Sequence, residues 1–123
     1  MKSYTDIEQS KNLAEFLPLE SADMYYTHGA VAPDIMIGCK QDYRCYTMCW
    51  SLAALLEIIP VITEYNDTSI RLRIDKGPFG NDEYAIWYED LQTILSTDIE
   101  AEADNFIDAC YKMILKLHEL NIL

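Results

Sequence analysis

Four cysteines, two histidines and 21 acidic side chains carry most of the reactive chemistry that this 123-residue sequence offers. Cys39, Cys45 and Cys49 lie within eleven residues, with His28 upstream. Thiolates and an imidazole would complete a tetrahedral zinc site, but the spacing C-x5-C-x3-C is not that of a short zinc knuckle. Cys45 and Cys49 can share one helix face, where cysteine commonly serves as a small buried hydrophobe. Core packing is therefore the expectation for the thiols. A cysteine nucleophile would need a base, and the histidines are His28 and His118. His118 falls near the end of a helical pattern, and Cys110, two turns before it, belongs to the apolar stripe.

Asp98, Glu100 and Glu102 alternate, which places them on one side of an extended segment. Three such carboxylates could hold magnesium or calcium, although a solvated acidic face is the more ordinary outcome. They are the candidate partner-binding residues. No phosphate loop, dinucleotide fingerprint, nucleophile elbow or HExxH occurs. No catalytic residue, metal ligand or cofactor is assigned.

Charge narrows the partners. The acids face nine Lys and Arg, for a formal charge of −12 and a pI near 4.3. Residues 77 to 111 contain no Lys or Arg, yet hold nine carboxylates. Such a surface repels phosphate backbones and anionic headgroups, so neither nucleic acid nor a membrane is the expected partner. Arg71, Arg73 and Lys76 form the one basic cluster that nucleic-acid binding could use. The apolar run Ile58 to Ile62 contains Pro60, and no run approaches the roughly 20 residues of a membrane span. The opening residues have no apolar core suited to secretion, so the expected compartment is the cytoplasm, with reduced thiols.

The elements that must position these residues form a single domain with an α+β fold. A Thr5-to-Glu8 capping box predicts a first helix from Asp6 to Phe16, stopped by Pro18. Residues 19 to 46 are the least readable: Met24–Tyr26 and Ile35–Ile37 fit short strands and equally fit a loop-rich excursion. Met48, Leu52, Leu55, Leu56 and Ile59 follow helical spacing, predicting a helix near 47–59 with Trp50 in the core. Ile70, Leu72 and Ile74 then alternate with Arg71, Arg73 and Asp75 as a strand. A hairpin loop at 76–82 leads to a second strand at 83–89, and a third is expected at 93–97. Asp104 is the expected N-cap of a helix running to about 120, with Phe106, Cys110, Met113, Ile114 and Leu117 as its apolar stripe. The result is a three- to four-stranded antiparallel sheet covered on one face by helices, with a helix–strand–strand–strand–helix core and an extra N-terminal helix. Its free edges suggest a homodimer through strand pairing or helix packing.

Thr5 to Lys11, Cys49 to Leu56, and the stretch from Asp108-Ala109-Cys110 through Leu117-His118-Glu119-Leu120 together resemble small uncharacterised proteins of gut Bacteroidetes and their phages and mobile elements. That resemblance spans most of the chain and implies a mobile-element or prophage origin. It brings no catalytic residues with it. The element order from Thr47 is also similar to a double-stranded-RNA-binding domain, whose basic grip on phosphates is replaced here by acids. From Ile70 onward the order looks like the β-β-β-α unit of small antitoxins. The functional expectation is a non-catalytic module whose acidic face engages a basic protein partner. The alternative is a small metal-dependent hydrolase or nucleotide-modifying enzyme using clustered carboxylates.

Overall fold

The computed structural model describes residues 2–27, 31–35, 46–76 and 83–123. The chain forms α1 (Ile7–Ala14), a short 3-10 turn (Leu19–Ser21), β1 (Met24–Tyr26), β2 (Asp34–Ile35), β3 (Thr47–Cys49), α2 (Leu52–Ile58), β4 (Ile62–Tyr65), β5 (Thr68–Lys76), β6 (Tyr84–Asp90), β7 (Ser96–Ala103) and α3 (Phe106–Glu119). The strands make two antiparallel sheets. One is three-stranded, in the order β2-β1-β3, and the other is a four-stranded meander, β4-β5-β6-β7. The fold is α+β, as the alternation of periods 3.6 and 2 in the sequence predicts. Among the described residues, no helix is long and apolar enough to cross a membrane.

α3 is the main structural helix. Its buried residues, Ile107, Ala109, Cys110, Met113, Ile114 and Leu117, recur at helical spacing and lie on β6 and β7. Each large apolar side chain buried there contributes about 1.5–3 kcal/mol over leaving it in water. Asn105 is the N-cap, its side chain accepting from the Asp108 N–H, one residue beyond the expected Asp104. α2 packs on α3 and is shorter than the apolar spacing suggests. Thr47–Cys49 pair with β1 as a strand, and the helix begins only after Ser51. Ser51 accepts from the Ala54 N–H as N-cap, while Asp23 accepts from the Ser51 backbone N–H at 2.9 Å and from its hydroxyl. Trp50 therefore sits in the link between strand and helix, fully buried, its indole N–H donating to Ser21 at 3.0 Å.

Four strands lie between α2 and α3. The additional one is β4, joined to β5 through Asn66 and Asp67, both with positive φ (52° and 62°). Two successive left-handed residues suit the primed turn of a tight hairpin, and Asn and Asp tolerate that conformation best after glycine. The last strand begins at Ser96, later than the expected 93–97. Residues 91–95 form a tight connection in which Asp90 Oδ1 accepts from the Gln92 and Thr93 N–H groups at 2.7 and 3.1 Å. Ile94 is held at φ 60° there, at a cost of about 1–2 kcal/mol for a side chain with a Cβ.

The N-terminal segment is fixed by a buried polar knot. Thr5 is fully buried, yet every polar group on it has a partner. Its N–H donates to the Trp50 carbonyl at 2.9 Å, and its hydroxyl oxygen accepts from the Trp50 N–H at 3.1 Å. The hydroxyl also bonds Ser10 Oγ at 2.8 Å and reaches Cys49 Sγ at 3.5 Å. The Thr5 carbonyl accepts from the Tyr26 hydroxyl at 2.9 Å and from the Cys49 thiol at 3.3 Å. Thr5 is thus consumed by long-range contacts, and the capping box moves one residue along: Asp6 caps Gln9, and Gln9 returns the bond to the Asp6 N–H.

A second tie runs from this segment to α3. Asp108 accepts from Lys2 Nζ at 2.8 Å, Gln9 Nε2 at 2.7 Å and Asn105 Nδ2 at 2.8 Å. Burial disfavours the charge on Asp108, but these three donors outweigh it and hold its pKa below the ordinary carboxylate value. Burial likewise works against Lys2, and Asp108 and Asp6 outweigh it to raise its pKa. The expected i,i+4 pair of Asp108 with Lys112 is replaced, because Lys112 Nζ donates to the Glu102 carbonyl at 3.0 Å.

Two outcomes follow. Thr5→Val keeps the shape but strands the Trp50 N–H and takes one of its partners from the Ser10 hydroxyl, and should cost about 1–3 kcal/mol in urea unfolding; an unchanged midpoint would show that the knot contributes nothing. Asp108→Asn removes a carboxylate with a lowered folded pKa. The stability gap to wild type should be full above the ordinary carboxylate range and close as pH falls through the lowered value. The Lys2 contribution has the opposite sign: it is complete below the ordinary 10.5 and lost only as pH rises through the raised folded value.

Candidate functional site

α3 packs on β6 and β7 from one side of the β4–β7 sheet, with α2 against it, and no described helix packs on the other face. The register brings four rows together on it: Glu64 with Ser69; Ile62, Arg71, Glu89 and Ser96; Arg73, Trp87 and Glu100; Asp75, Ala85 and Glu102. Alternation along each strand sends these side chains outward while Ile70, Ile86, Tyr88, Ile99 and Ala101 turn to the core.

Charge on this face is organised around Glu89. Glu89 is only 7% exposed, and its carboxylate pairs with the guanidinium of its cross-strand neighbour Arg71. Arg71 Nε donates to Glu89 Oε1 at 3.2 Å, and Arg73 Nη1 stands 3.9 Å from the same oxygen. A buried carboxylate without such a partner would cost several kcal/mol. Both cations of the face are therefore drawn to one acid. Glu64, Asp75, Glu100 and Glu102 remain directed at solvent. Trp87 stands half-buried among them, beside a concavity of about 210 Å³ that it shares with Asp75, Glu100 and Glu102.

Of the three candidate partner-binding carboxylates, the structure brings Glu100 and Glu102 together on this face. Asp98 is separated from them. Between the pairs Trp87–Glu100 and Glu89–Ser96, the single residue Tyr88 of β6 stands opposite Thr97, Asp98 and Ile99 of β7. This bulge re-aims the strand, and Asp98 lines a different cleft together with Lys116. The three acids do not converge. Among the described residues, no group of three or more His, Cys, Asp or Glu side chains is placed to hold a metal ion. The basic cluster is also divided: Arg71 and Arg73 engage Glu89, while Lys76 lies 5.8 Å over the Tyr84 ring.

Cys49 and Cys110 are both fully buried. Burial raises the Cys49 pKa despite hydrogen bonds with Thr5, Ser10 and Tyr26, and burial pushes Cys110 up to about 12. A thiol so far from ionising is a poor nucleophile. His118 is exposed and stacks on Phe16, with ring centroids 3.9 Å apart and planes 10° from parallel; its Nδ1 lies 3.2 Å from the Leu123 carbonyl. It packs and does not serve Cys110. Tyr25 and Tyr46 pack edge to face at 5.0 Å. Of the zinc grouping, His28, Cys39 and Cys45 fall outside the described residues, as do residues 77–82 of the expected hairpin loop.

Trp87 is the site residue that the sequence did not single out. Its signal was the alternation within β6, which sets it opposite Ile86 and Tyr88, on the same side as Glu89. Compared with protein-family models, curated proteins and solved structures, the chain matches none.

Proposed function

We propose that the protein is a non-catalytic interaction module that holds a basic protein partner on the open face of its four-stranded sheet. The observation that carries this reading is Trp87, half-buried on the sheet face that no described helix covers, among outward carboxylates while the two arginines beside it are engaged by Glu89. An aromatic face within an acidic surround suits Lys and Arg, through charge attraction and through cation–π contact of about 0.5–2 kcal/mol per pair. Exposed Ile62 at the margin supplies apolar contact. The module belongs, in this reading, to a mobile element or prophage, in line with the resemblance of its Thr5–Lys11, Cys49–Leu56 and Asp108–Leu120 segments. The alternative of a carboxylate-dependent metal hydrolase gains no support from acids split between two surfaces.

Affinity purification of the tagged protein from its host at low salt tests the proposal. A stoichiometric basic protein should co-elute and be released by salt, since surface charge is screened within about 10 Å at 0.1 M. Trp87→Ala, and Glu100→Gln with Glu102→Gln, should each lose it, while Asp98→Asn should retain it. Retention of the partner by the sheet-face variants, or recovery of none by wild type, would overturn the reading.

A further inference from the structure

The cleft lined by Asp98 lies apart from the open face. It encloses about 390 Å³, within the range of small-molecule sites. It lies where the β4–β5 turn, the first half of β7 and the end of α3 meet. Its floor is apolar: Ile70 and Ile99 are buried, and Leu120 packs partly buried against the same core. Three charged residues line it, Asp90, Asp98 and Lys116. Asp90 is committed to the Gln92 and Thr93 N–H groups.

The other two are not committed. Among the described residues, ion pairs join Lys2 to Asp6 and Asp108, and Arg71 and Arg73 to Glu89. Within that described set, the Lys116 ammonium and the Asp98 carboxylate enter no ion pair, even with each other. Lys116 is partly buried at the edge of this cleft. A cation and an anion held apart over an apolar floor are complementary to a ligand that carries both charges on a small apolar body.

We propose that this cleft binds a free α-amino acid with an apolar side chain. Its carboxylate meets Lys116, its ammonium meets Asp98, and its side chain covers Ile70, Ile99 and Leu120. A ligand lacking either charge leaves one protein group unmatched, which is how such a site discriminates.

The test is titration of the ¹⁵N-labelled full chain with L-leucine and with each of the other amino acids, following the amide resonances of Ile70, Ile99 and Lys116. Isopentylamine, which lacks the carboxylate, and 4-methylpentanoate, which lacks the ammonium, complete the series. L-leucine should give saturable shifts at these residues, and each analogue should bind about tenfold more weakly or worse. Lys116→Met and Asp98→Asn, both at the surface, should weaken L-leucine by a similar factor with the spectrum otherwise preserved. Trp87→Ala should leave it unchanged, which separates this site from the sheet face. Absence of shifts with every amino acid, equal binding by the analogues, or undiminished binding by Lys116→Met would overturn the proposal.

Discussion

The architecture depends on a threonine that is fully buried and fully bonded. Thr5 draws the N-terminal segment beside Trp50, and the requirement that no buried polar group go unpaired fixes where that segment runs. With Thr5 in place, Ser10 and Gln9 of α1 follow, and Gln9 and Lys2 then meet Asp108 at the start of α3. The small sheet, α1 and α3 are thereby tied through hydrogen bonds as well as through the shared apolar core. Leu13 of α1 joins Trp50, Leu55, Ile114 and Leu117 there. Among the described residues, the helix that packs on the large sheet, α3, lies on one side of it, and the opposite face presents the strands' own side chains.

Elements whose pattern is local were legible. The stripe of α3 and the alternation of β5 and β6 could be read from spacing, and they stand where that spacing puts them, whereas Met24–Tyr26, open between strand and loop in the sequence, becomes a strand by pairing with β2 and β3. Elements decided by distant partners were not. Apolar spacing from Met48 to Ile59 is continuous, so Thr47–Cys49 looks helical until β1 pairs with it. β4 has four residues, too few for a strand period to stand out; it exists because a two-residue turn at Asn66–Asp67 folds it back on β5. Thr5 has the residue type of a helix cap, and only the Trp50 backbone reveals that its hydroxyl is spent elsewhere.

The same distinction governs the candidate site. Alternation correctly sets Glu100 and Glu102 on one side of an extended strand. It fails for Asp98 because the bulge opposite Tyr88 interrupts the period, and a bulge depends on pairing with β6. The cation-free stretch from 77 to 111 was visible as composition, but how its charge is felt depends on Arg71 and Arg73, which lie outside it. Their attachment to Glu89 leaves the remaining acids to set the potential of the open face.

The central claim is that this face is both uncovered and acidic, with Trp87 as its reporter. In a Trp50→Phe variant Trp87 is the one remaining indole, and its fluorescence can be quenched separately by caesium and by iodide. A Trp87→Phe variant, reporting buried Trp50 alone, serves as the reference for an inaccessible ring. The account predicts that Trp87 is accessible and that caesium quenches it more strongly than iodide, a preference that fades as added salt screens the carboxylates. Emission as blue and as poorly quenched as that of Trp50, or a preference for iodide, would contradict it.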